Sequence, residues 1–163
     1  MDYIFWLELV LFAFLMALSA FFSSSETALF SLSSLQREQL RRQGHPRVDV
    51  IERLLSSPRR LIMTILIGND LVNVAASVIS AAFIIRLLGM EKKWINLLVM
   101  VPILLLFGDV TPKTLAIRNN IAFAAFECRP IDFFTRLVKP VRWLVRTVAD
   151  VFITLIIGKE RSH

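Results

Sequence analysis

Three short polar runs interrupt otherwise apolar stretches of this chain: Ser23-Ser24-Ser25-Glu26, Gly68-Asn69-Asp70 with Asn73 close behind, and Gly108-Asp109-Val110-Thr111-Pro112-Lys113. The chemistry they offer is oxygen. Ser23, Ser24 and Ser25 carry hydroxyls, Asn69 and Asn73 carry amide carbonyls at i and i+4 on one helix face, and Asp109 supplies a carboxylate. Glu26 and Asp70 are additional candidates. Gly68 and Gly108 let backbones approach closely, and Pro112, lacking an N–H, frees the carbonyl of Gly108 four residues back. A freed carbonyl in a broken helix is a cation ligand, and an all-oxygen set suits hard cations such as Mg²⁺ and Na⁺. Softer chemistry is not expected. Cys128 is the single cysteine, and His45 and His163 are far apart in sequence, so neither a thiolate cage, a disulfide nor a histidine site is anticipated. No Ser, His or Cys catalytic set stands out, and the chain does not read as an enzyme.

Structural readings compete with ionic ones at several positions. A serine inside a span often bonds back to a carbonyl one turn earlier, and Ser24 is read that way. Asparagines glue spanning helices together. A carboxylate in a span is rare and usually functional, which singles out Asp109. Lys113, four residues on, either pairs with it or snorkels to the membrane surface. Glu8 reads as an interfacial residue. Gly68, Ala75, Ala76, Ser77, Ser80 and Ala81 form small-residue surfaces suited to helix pairing.

The elements that must hold these groups are membrane helices. At 56% hydrophobic over 163 residues, with mean hydropathy +0.64, the chain exceeds the roughly half-apolar composition of soluble domains. The expectation is an all-α membrane protein of one domain, 1–163. Three partly broken spans cover about residues 3–34, 61–88 and 94–127, with amphipathic interfacial helices at about 46–57 and 131–157. Pro46 would open the first of these, with Val48, Ile51, Leu54 and Leu55 on one face. A tight turn is expected from Gly89 to Lys93. A fourth span over Trp143 to Ile157 is the alternative, opposed by Arg146 and Asp150 near its middle.

The net charge of +6 comes largely from arginines beside the apolar runs, where they set orientation and meet anionic headgroups rather than nucleic acid. Arginines crowd the segments after the first and third spans, which places the N-terminus outside and the C-terminus in the cytoplasm, in a cell membrane.

Depth follows from the same boundaries. Trp94 to Phe107 is only about 21 Å of helix, against a hydrocarbon core of about 30 Å, so the third span must include Asp109. Asn69 stands nine residues from Arg60, and Asp109 nine residues from Arg118, each roughly 13 Å from the basic boundary. Ser25 and Glu26 are 12 and 11 residues from Arg37, roughly 17 Å deep. The three polar runs therefore converge on one layer.

The runs also resemble a known family. Phe22 to Leu29, Gly68 to Asn73 and Phe107 to Ala116 are similar, in order and spacing, to three elements of the DUF21 membrane domain of CorC and cyclin M proteins. That resemblance implies a three-span domain with its N-terminus outside, a homodimer and a cytoplasmic helical belt. It also implies Mg²⁺ efflux driven by Na⁺ influx. The positions matching the family motif are Ser23 and Ser25, Asn69 and Asn73, and Gly108 and Asp109, which become the metal-site candidates, with Pro112 shaping the helix break. Asp109 replaces the family's usual glutamate, and Ser24 its usual glycine. Family members generally continue into paired CBS domains, and none is expected within 1–163. The competing expectation is a non-transporting membrane module that senses an ion or regulates a partner protein.

Overall fold

The structure is a computed structural model describing residues 3–88 and 93–158, all of its regular elements helical. The expected turn from Gly89 lies, except for Lys93, outside the described residues, as does His163. The first helix, α1 (Tyr3–Phe30), runs unbroken through its serines. Ser25 donates its hydroxyl to the Phe21 carbonyl at 2.6 Å, and the Ser24 hydroxyl, 3.0 Å from the same carbonyl, divides its one proton between that back-bond, expected of Ser24, and an acceptor on a later helix. α1 ends earlier than residue 34 because Ser33 caps the next helix. The Ser33 hydroxyl accepts from the Gln36 N–H at 3.1 Å, and the Gln36 side chain accepts from the Ser33 N–H at 3.0 Å.

That helix, α2 (Ser34–Arg42), stops at a glycine. Gly44 has φ 65°, and the N–H groups of Gly44 and His45 return to the carbonyls of Arg41 and Leu40. This is the left-handed turn that glycine tolerates best. Next comes α3 (Val48–Leu55), which buries Val48, Ile51 and Leu54. Pro46 sits before the helix rather than opening it, since Arg47 is the cap residue.

The second long helix is α4 (Pro58–Leu88), followed by α5 (Lys93–Leu105), a π-helical turn (Leu106–Val110) and α6 (Thr111–Arg118). The stretch from 94 to 127, expected as one span, breaks at Asn119, whose φ/ψ of −128°/48° leaves the helix. The stretch from 131 to 157 is likewise not one helix: α7 (Asn120–Leu137) and α8 (Lys139–Ile157) part at Val138, just before Pro140, which has no N–H to continue the ladder. Among the described residues three stretches are long and apolar enough to cross a membrane: Tyr3–Phe30, Pro58–Arg86 and Trp94–Arg118. No window over α8 qualifies, in line with the three-span expectation.

The centre of the bundle is α1, packed by α4, α6, α7 and the π-helical turn. Phe22, Ala28 and Leu29 are buried against Leu61 and Ile65 of α4, Ala116 of α6, and Ala124, Cys128 and Ile131 of α7. Gly68 makes this approach close: a Cβ there would stand 2.6 Å from the Phe22 ring and 2.8 Å from the Phe134 ring. At the other end of α1, Glu8 pairs with Arg86 of α4 at 3.3 Å, a cross-helix ion pair rather than a merely interfacial acid.

Around the arginine-rich end, α2, α3 and α7 form a belt. Asn120 exchanges amide bonds with Gln36 at 3.1 and 2.9 Å. Arg47 donates to the Ala125 carbonyl at 2.7 Å, and Arg53 pairs with Asp132 at 2.7 Å.

Candidate ion site

The polar layer is built where α1, α4 and the π-helical turn meet. Asn69 and Asn73, one turn apart on α4, direct both Oδ1 atoms at Ser19 of α1, whose Oγ lies 3.3 and 3.0 Å away. A hydroxyl has one proton, so Ser19 serves the two carbonyls alternately and leaves one acceptor free at any moment. One turn along α1, the Ser23 hydroxyl donates to Asp109 Oδ1 at 3.4 Å. Ser19 and Ser23 are 3% and 2% exposed, so this oxygen cluster is packed on its α1 side.

Two backbone features bring the turn against α1. Gly108 is buried, and a Cβ there would lie 2.9 Å from Ser19 Oγ. The Thr111 N–H reaches back to the Leu106 carbonyl, five residues away, which is the bond of a π-helix. Pro112 supplies no N–H to the carbonyl four or five residues behind it, those of Gly108 and Phe107. The helix break expected from Gly108 and Pro112 thus takes the form of a widened turn.

Asp109 also meets Lys113, Nζ to Oδ1 at 3.0 Å, with side-chain exposures of 40% for Lys113 and 43% for Asp109. Local pairing, one of the two readings of Lys113, is what the structure has. The exposed side of this pair and Asp70, which is exposed on α4, lie on the bundle's outer surface.

Of the six candidate positions, Ser23, Asn69, Asn73, Gly108 and Asp109 are brought together. Ser25 is not: its hydroxyl donates to the Phe21 carbonyl and lies on the α7 side of α1. Two residues that the sequence reading passed over take prominent places. One is Ser19, whose position four residues before Ser23 puts it on the same helix face. The other is Glu127 of α7, only 4% exposed, with Oε1 accepting from the Ser24 hydroxyl at 2.6 Å and Oε2 buried without a partner. Burial pushes the Glu127 carboxyl above its ordinary range, and the hydroxyls of Ser24 and Ser25 pull it back. Its signal was its place in the apolar stripe of Ala124, Cys128, Ile131 and Thr135 at helical spacing. Among the described residues no three His, Cys, Asp or Glu side chains gather as a metal cage. Hydroxyl and amide oxygens supply most of the donors.

Long apolar helices around a part-buried oxygen layer define a multi-helix membrane protein. Residues 10–163 match the family model of the cyclin M transmembrane N-terminal domain, and the chain belongs to that family. It is 32% identical over 141 residues to the UPF0053 inner membrane protein YfjD of Escherichia coli, covering 85% of this chain and 32% of that protein. A UPF0053 protein of Haemophilus influenzae is 33% identical over 130 residues, covering 80% and 31%. A chloroplastic DUF21 domain-containing protein of Arabidopsis thaliana is 32% identical over 152 residues, covering 93% and 23%. The chain spans about a third or less of the length of these curated relatives.

Proposed function

We propose that the chain transports Mg²⁺ across a cell membrane, outward and coupled to Na⁺ influx, through the layer between α1, α4 and the π-helical turn. The observation that carries the reading is the convergence of Ser19, Asn69, Asn73, Ser23 and Asp109 from separate helices onto one patch of oxygen, with contacts from 3.0 to 3.4 Å. Oxygens around an octahedral Mg²⁺ are about 2.9 Å apart when the metal–oxygen bonds are about 2.05 Å. The Ser19–Asn73 separation of 3.0 Å is close to such an edge. Neutral donors with a single carboxylate leave the ion room to keep some of its waters, which Mg²⁺ gives up reluctantly. Asp109 draws the cation in, and its contact with Lys113 must loosen before a cation can take that carboxylate oxygen. Ser25 belongs to the candidate set by its motif, but its hydroxyl is directed at the Phe21 carbonyl, away from the layer that Ser19 and Ser23 face. No catalytic step is assigned: the role is that of a transporter.

The N-terminus is assigned to the outside and the belt of α2, α3 and α7 to the cytoplasm, from the arginines of that belt. A homodimer accounts for the exposed face of α4. Asp70 and Ser77, seven residues apart, share that face with Leu71, Val74 and Val78. A carboxylate turned toward lipid near mid-span is costly, whereas a second copy or a shared aqueous path covers it.

Purified protein in proteoliposomes tests the reading. Asn69→Ala and Asp109→Ala are each expected to abolish Mg²⁺ flux while thermal unfolding shows a folded protein. Wild-type flux in both variants would refute the site. Ion binding without flux by the wild type would favour a sensing module instead.

A further inference from the structure

Ser24 lies between two candidate ligands in sequence, yet its hydroxyl points to α7, where it meets Glu127 at 2.6 Å. A helix turns by about 100° per residue, so Ser23 and Ser24 cannot swing independently. Whatever fixes the bearing of Ser24 also fixes that of Ser23 and, one turn away, of Ser19. A side-chain tip about 5 Å from the helix axis travels roughly 1.7 Å when the helix rolls by 20°. The Ser23–Asp109 contact, at 3.4 Å, is already at the edge of a hydrogen bond and would not survive that roll. Between α1 and α7 the Phe22 and Phe134 rings meet with centroids 5.0 Å apart, and small neighbours such as Ala28, Ala124 and Cys128 fill the rest of the interface but index such a roll poorly. A short bond to a carboxyl indexes it well.

Packing alone gives no reason for an acid at this place. Among the described residues no cation lies within ion-pair distance of Glu127. Arg47 of the belt directs Nη1 at the Ala125 and Phe126 carbonyls rather than at Glu127. Oε2 is buried without a donor. We infer that Glu127 is a positioning residue: through Ser24 it sets the rotation of α1, and so couples the belt helix α7 to the geometry of the oxygen layer. The inference rests on the proposed ion site, and names the residue through which movement of the belt would open or close it.

The chain's single cysteine provides a readout that needs no transport. Cys128 is fully buried beside Glu127, and its thiol is pushed up by that burial, so maleimide should label it slowly in the wild type. The experiment compares full-chain wild type, Glu127→Gln, Glu127→Ala, Ser24→Ala and the Glu127→Ala/Ser24→Ala double variant. It measures Cys128 labelling and the Mg²⁺ dependence of flux in proteoliposomes.

Glu127→Gln, which preserves the bond, should match the wild type in both. Glu127→Ala and Ser24→Ala should each raise the apparent KM for Mg²⁺ about tenfold, the worth of one strong hydrogen bond, with little change in maximal rate. Both should label faster at Cys128, and the double variant should be no worse than either single one. Wild-type KM and labelling in Glu127→Ala would overturn the inference, and so would damage in Glu127→Gln equal to that in Glu127→Ala. If Glu127→Ala fails to fold, Ser24→Ala decides by the same two measurements. Should the wild type carry no Mg²⁺ at all, the proposed function falls and labelling alone judges the inference. Faster labelling in Glu127→Ala and Ser24→Ala but not in Glu127→Gln then upholds it, and equal rates refute it.

Discussion

Gly108→Ala adds one methyl group at the closest approach in the candidate site. The new Cβ would stand 2.9 Å from Ser19 Oγ, 3.6 Å from Ser19 Cβ and 3.8 Å from Met16 Cε, so only the hydroxyl collides. Ser19 can relieve the clash by rotating its χ1, but rotation withdraws the hydroxyl from Asn69 and Asn73, its partners at 3.3 and 3.0 Å. The cost is a modest overpacking strain plus one lost hydrogen bond, together about 2–3 kcal/mol. Unfolding in detergent and Mg²⁺ flux in proteoliposomes read the two effects separately.

Ser19→Ala is the matching control, because it removes the colliding oxygen and leaves a Cβ at ordinary contact distance. The Gly108→Ala/Ser19→Ala double variant should therefore be as stable as Ser19→Ala, within about 0.5 kcal/mol. Neither should transport normally, since the hydroxyl bridging the asparagines is gone. The reasoning is refuted if Gly108→Ala leaves stability and flux unchanged, or if it costs as much on the Ser19→Ala background as on the wild type.

Two further substitutions probe the frame around the site. Gly68→Ala would drive a methyl group into the Phe22 and Phe134 rings at 2.6 and 2.8 Å, and should destabilise by about 3 kcal/mol, at the upper end of overpacking costs; a loss under about 0.5 kcal/mol in a detergent melt would contradict the packing. Arg86→Ala leaves the largely buried Glu8 carboxylate without its partner at 3.3 Å, and should cost about 1–2 kcal/mol, between the values for exposed and buried pairs. The reversed pair, Glu8→Arg with Arg86→Glu, should recover most of that loss, and a reversed pair no more stable than Arg86→Ala would show that the two side chains do not interact.

How much of this was legible beforehand depends on which interactions are local. The three spans could be read from apolar length, and the α3 face from the spacing of Val48, Ile51 and Leu54, because both are properties of neighbouring residues. Helix ends were read less well. The end of α1 is set by the Ser33–Gln36 capping box, a pattern present in the sequence but masked by the apolar run before it. The break at Asn119 answers to tertiary contacts, since Asn120 bonds Gln36, 84 residues earlier, and no window centred on position 119 contains that partner. The widened turn at Leu106–Val110 was foreshadowed by Gly108 and Pro112. Its π register depends on how closely Gly108 must lie on Ser19, and that is a distance between helices.

The oxygen layer was the most legible feature of the site, because polar residues stand out against apolar spans, and the helical period divides them into two groups. Ser19 and Ser23 are four residues apart and share the face turned to Asn69, Asn73 and Asp109. Ser24 and Ser25, about 100° and 200° further round from Ser23, turn away from it toward Phe21 and α7. The same i, i+4 rule that paired the asparagines therefore selects Ser19 over Ser25 in the described state. The rule also explains why Glu127 escaped notice: it lies on a different helix, in an amphipathic stretch where a charged residue attracts no attention unless its own helix face is buried. Ala124, three residues before it, and Ile131, four after it, are buried, as is the adjacent Cys128, and Glu127 is buried with them. The run of serines on α1 thus has two faces, one for the oxygen layer and one for the belt, and a roll of this single helix changes both together.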